Sequence, residues 1–115
     1  MTSEDIRNYC LSLKGVTECF PFDDDALVFK VMGKMFSLNS LLEHTLALKC
    51  DPEKAVALRE QYSAVLPGYH FNKRHWNTVL LDSNLPDKLI REWITDSYDL
   101  VVEGLSRKLR EELKA

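Results

Sequence analysis

Glycine and proline are scarce in this chain, four of each among 115 residues, which excludes a collagen-like or linker-like polymer. Cysteine is scarce too. Cys10, Cys19 and Cys50 form no C-x-x-C pair, and their odd number leaves one unpaired in any intramolecular scheme. Neither a disulfide framework nor a paired-thiol zinc site is expected. Long apolar runs are missing, so no segment reads as a bilayer span and no membrane partner is expected. Thr2-Ser3-Glu4-Asp5 is polar and acidic where a signal peptide needs cations and an apolar stretch, so a cytoplasmic location is expected. Positive charge is in deficit as well: the net charge is −3 and the pI about 5.6. There is thus no global attraction for polyanions, and any nucleic-acid contact must use a local patch.

What is present is an ordinary globular composition, 45% hydrophobic and 29% charged, which argues against disorder. At this length a single domain over residues 1–115 is expected. Residues 3–13 read as a helix, capped by Thr2 or Ser3, with Ile6, Tyr9, Cys10 and Leu13 on one face and Gly15 at its end. Cys19-Phe20-Pro21-Phe22 is a short apolar run whose proline suits an edge strand. Asp23-Asp24-Asp25 lacks the alternating ligands and closing Glu of a calcium loop, and reads as a solvated turn.

From Ala26 to Leu38 the apolar period is two, broken by Gly33-Lys34, which reads as a hairpin turn. A further strand is expected over Thr45 to Lys49. Asp51-Pro52-Glu53 starts a helix: a capping carboxylate, proline at the first position, then an acid in the first turn. Thr78 to Leu81 reads as another strand, with a short companion near Ala64-Val65-Leu66. Pro86 opens the longest helix, whose stripe runs Leu89, Ile90, Trp93, Ile94, Ser97, Leu100, Val101 and Leu105. Gly104 is placed to bend or break it. Beyond it Leu105, Leu109 and Leu113 either pack on the domain, the favoured reading, or meet a partner. The order α-β-β-β-α-(β)β-α implies an α+β two-layer sandwich, an antiparallel sheet covered by helices.

The densest chemistry lies in Leu66-Pro67-Gly68-Tyr69-His70-Phe71-Asn72-Lys73-Arg74-His75-Trp76-Asn77-Thr78-Val79, which opens as a Pro-Gly turn and contains no carboxylate. As a nucleic-acid surface, Lys73 and Arg74 would neutralise phosphates, Tyr69, Phe71 and Trp76 would stack on unpaired bases, and Asn72 or Asn77 would read a base edge. As a structural corner, Phe71 and Trp76 would anchor the loop and the two asparagines would tie it to backbone. His70 and His75 stand five apart, which matches no helical zinc pair, and His44 has no evident partner. No Ser or Cys sits in an activating motif, so catalytic residues, a metal and a cofactor are not expected.

This stretch resembles the signature of the MmcQ/YjbR family of small bacterial proteins. The similarity extends to Glu18 with Pro21-Phe22, Lys30-Val31 with Gly33-Lys34-Met35-Phe36, Leu48-Lys49, Pro52-Glu53, and Ser97-Tyr98 before Leu100-Val101. Asp23 stands where that family often has glycine. The resemblance implies a CyaY-like, or double-wing, fold and a DNA-binding protein. On the loop's own chemistry the candidate ligand-binding residues are Tyr69, His70, Asn72, Lys73, Arg74, His75, Trp76 and Asn77, with DNA as the expected partner. The alternative is a protein-interaction or chaperone-like module that binds no nucleic acid. A monomer or weak homodimer is expected.

Overall fold

The computed structural model describes residues 1–68 and 71–115. The elements follow as α1 (Ser3–Ser12), β1 (Val16–Cys19), β2 (Ala26–Val31), β3 (Lys34–Ser40) and β4 (Thr45–Lys49). After these come α2 (Pro52–Gln61), β5 (Val65–Pro67), β6 (Trp76–Leu80), α3 (Asp87–Glu103) and α4 (Arg107–Lys114). The strands form one antiparallel sheet in the order β1-β2-β3-β4-β6-β5. The helices pack on it to make the expected two-layer α+β sandwich.

Local chemistry explains the boundaries. Thr2 and Asp5 form a reciprocal capping box at the start of α1, each side chain accepting from the other's backbone N–H. Asp51 caps α2, with Pro52 at its first position. Gly104 ends α3, and Ser106 caps α4 by accepting from the backbone N–H of Leu109. The β2–β3 hairpin turns on Met32-Gly33, not on Gly33-Lys34, and both turn residues have positive φ, 51° and 81°. That is the backbone sign a two-residue turn needs to match the strand twist. The first strand lies at Val16–Cys19, ahead of the run Cys19–Phe22. Pro21 lacks an N–H for the ladder, so pairing stops before it.

The core is one cluster drawing on most elements, from Ile6 and Cys10 of α1 to Leu113 of α4. Phe29 and Phe36 are fully buried in it, each contributing about 1.5–3 kcal/mol by leaving water. Leu105 and Leu113 are buried, so α4 is docked on the domain. No helix among the described residues is long and apolar enough to cross a membrane.

Candidate functional site

Alternation along the strands sends Leu27, Phe29, Leu46, Leu48 and Val79 to the helix-covered core. Their neighbours point to the opposite face, over which no helix packs among the described residues. Register aligns those neighbours in rows: Ala26 with Ser40, Thr45 and Leu80, then Val28 with Leu38, Ala47, Thr78 and Leu66. At the end of the sheet where β6 begins, Lys30 pairs with Met35 and Lys49 pairs with Trp76. Between the rows runs a groove of about 480 Å³, floored by Leu38, Ala47 and Thr78, with Phe71 and Phe22 among its lining residues.

The loop before β6 is held by backbone and by Arg59. Gly68 N–H donates to the Trp76 carbonyl at 2.9 Å, and the Asn72 side chain accepts from Arg74 N–H at 2.8 Å. Arg59 donates to the Lys73 carbonyl at 2.8 Å and to Asn77 Oδ1 at 3.2 Å. Asn77 Nδ2 donates in turn to the Ala55 carbonyl at 3.3 Å. The rings of Phe71 and Trp76 stack at 4.8 Å with a 31° tilt. Gly68 has to be glycine for space: a Cβ there would lie 2.7 Å from Trp76 Cβ and 2.8 Å from its carbonyl oxygen.

Charge is sorted along the strands. Lys30, Lys34 and Lys49 lie at the end where β6 begins, and Lys73 and Arg74 precede that strand, lining a pocket with Pro52, Glu53, Val56 and Arg59 of α2. Asp23, Asp24, Asp25, Glu43 and Asp82 lie at the other end. There His44, which lacked an evident partner in sequence, has Nδ1 2.5 Å from Asp82 Oδ1.

Of the residues singled out in sequence, Lys73, Arg74 and Asn72 are exposed on the loop, and Trp76 is half-buried on the open face beside Lys49. Asn77 is 3% exposed, and both ends of its amide are engaged inside the protein, so it faces α2 and not a ligand. His75 is half-buried, its carbonyl accepting from Cys50 N–H at 2.7 Å. Tyr69 and His70 lie outside the described residues. Lys30 and Lys49 escaped sequence reading. The available signal was a lysine at the otherwise apolar end of each of two strands.

The YjbR family model matches residues 11–100. The YbdF protein of Escherichia coli O157:H7 is 38% identical over 107 residues, covering 91% of this chain and 88% of its own. The YjbR protein of Escherichia coli K12 is 36% identical over 112 residues, covering 96% of this chain and 95% of its own. The crystal structure of the Deinococcus radiodurans protein DR2400 superposes with a TM-score of 0.91 at 40% identity, covering 98% of this chain and 88% of that one.

Proposed function

This chain belongs to the YjbR family, and from the surface just described we propose that it is a nucleic-acid-binding module, not an enzyme, that takes single-stranded DNA on the open face of its sheet. One observation carries the reading: Lys49 pairs with Trp76 on that face, Phe71 stacks on Trp76, and Lys30, Lys73 and Arg74 lie at the same end of the sheet. Aromatic faces with neighbouring cations suit unpaired bases and their phosphates. A duplex hides its base faces, so the single strand is favoured. The carboxylates at the far end repel phosphate, which confines the strand to a few nucleotides at the cationic end. Asn77 takes no part in this reading, and Lys30 and Lys49 join it.

The test is fluorescence anisotropy of labelled single-stranded DNA, the matching duplex and single-stranded RNA across a salt series. Neutralisation by Lys30, Lys49, Lys73 and Arg74 gives an expected log–log salt slope of about −3 for the single strand. Lys30→Ala/Lys49→Ala and Lys73→Ala/Arg74→Ala should each remove roughly half of that slope. Binding absent at low salt, or indifferent to both double variants, overturns the reading. Tighter binding of RNA than of DNA would reassign the polymer.

A further inference from the structure

Large apolar side chains are exposed unevenly on this protein. Of the five among the described residues, Phe20, Phe22, Leu41 and Leu42 sit in two loops at the acidic end of the sheet. Phe22 is 69% exposed and Leu42 86%, so neither contributes much to folding by burial. Yet the loops that present them are firmly tied. Asp25 accepts from Ser40 Oγ at 2.8 Å, from Leu42 N–H at 2.5 Å and, through its carbonyl, from Leu41 N–H at 3.0 Å. Asp23 accepts from the N–H groups of Asp25 and Ala26 at 2.9 and 2.8 Å. These bonds join the backbones of the two loops, so that exposed Phe22 and Leu42 leave from the same corner. Exposed apolar side chains grouped at one corner and rimmed by polar ones suit an interaction site better than the same residues scattered singly.

Charge selects the occupant. Asp24 and Glu43 are exposed beside the two loops, and Asp82 lies at the adjoining strand end. An anionic lipid surface or a nucleic acid would meet repulsion here. We propose that this acidic-apolar corner docks a cationic, amphipathic polypeptide segment of another protein, its apolar side chains meeting Phe22 and Leu42 and its lysines or arginines meeting the carboxylates. Phe22 and Glu43 share the open-face groove with Phe71, but the corner lies at the opposite end of the strands from Lys49 and Trp76, and a polypeptide occupant there does not rest on the nucleic-acid reading.

The probe is a fluorescein-labelled synthetic peptide of alternating lysine and leucine, with a glutamate–leucine counterpart as control. Anisotropy is measured with wild type, Phe22→Ser/Leu42→Ser and Asp24→Asn/Glu43→Gln at several salt concentrations. All four positions are exposed, and circular dichroism confirms that the variants fold. The cationic peptide should bind, weaken with salt, and lose affinity about tenfold or more in Phe22→Ser/Leu42→Ser, with a smaller loss in Asp24→Asn/Glu43→Gln. No binding, equal binding of the acidic peptide, or affinity unchanged in Phe22→Ser/Leu42→Ser overturns the proposal. Sedimentation of the free protein covers one more outcome: self-association abolished by Phe22→Ser/Leu42→Ser would make a second copy the occupant and overturn it too.

Discussion

The hydroxyl of Ser97, on α3, donates to the carbonyl of Phe36, on β3, at 2.6 Å. The same oxygen accepts from Lys49 N–H of β4 at 2.9 Å. A register shift between Phe29 and Lys30 makes Phe36 the extra residue of a bulge, and β3–β4 pairing stops at Ser37 with Leu48. Ser97 therefore completes a ladder that the bulge interrupts. This explains a hydroxyl within the apolar stripe of α3.

Ser97→Ala should leave a buried carbonyl and an N–H without their partner and destabilise the fold by about 1–3 kcal/mol. The urea midpoint measures this. A midpoint equal to wild type would mean that the gap is solvated at no cost.

Gly15 has φ 77°, and a Cβ there would stand 2.4 Å from Leu113 Cδ1. Gly15→Ala thus combines a left-handed backbone penalty of about 1–2 kcal/mol with a clash that the Leu113 side chain must turn aside to relieve, loosening its seat on the core. Limited trypsin digestion should cut faster at Arg107, Lys108 and Arg110 in the variant, the rest of the chain resisting as before. Digestion identical to wild type would argue against docking of α4 through Leu113.

Burial pushes the Cys10 thiol up to about 12. The unfolded chain releases that proton near the ordinary thiol value of about 8.5, whereas the native state keeps it. Between these values the folded protein binds more protons, so stability falls as pH rises. Chemical denaturation from pH 8 to 11 should show this decline, and Cys10→Ala should lessen it, with Cys50 and Tyr98, both also pushed up by burial, contributing the rest. At pH 8 a thiol reagent should modify the half-buried Cys19 first and leave Cys10 protected until unfolding. Fast labelling of Cys10 in the native state would contradict the burial.

Helices, the two-layer arrangement and most strands were legible because capping residues and apolar periods are local. Thr2 with Asp5, Asp51-Pro52, and the stripe through Ile90, Ile94 and Val101 each act within a few neighbours. The hairpin turn was misplaced by one residue because Met32 shares the left-handed backbone with Gly33, and nothing in a methionine announces that. The alignment of Lys49 with Trp76 was invisible for a different reason. It depends on β6 inserting between β4 and β5, which is a property of sheet order and not of any single segment. His44 and Asp82, 38 residues apart, meet through the same pairing. Asn77 read as a ligand contact because its neighbours are polar, while its amide is engaged by Arg59 and Ala55 of α2.

The insertion of β6 beside β4 also has a temporal side. During synthesis β1 to β4 emerge as a meander whose members pair with sequence neighbours, but the outer edge of β4 can be satisfied only by Trp76–Leu80. A nascent or truncated chain lacking those five residues carries an open strand edge over Leu46, Ala47 and Leu48, a template for pairing with other chains. Lys49 puts a charge at the end of that edge, the kind of residue that discourages edge-to-edge pairing.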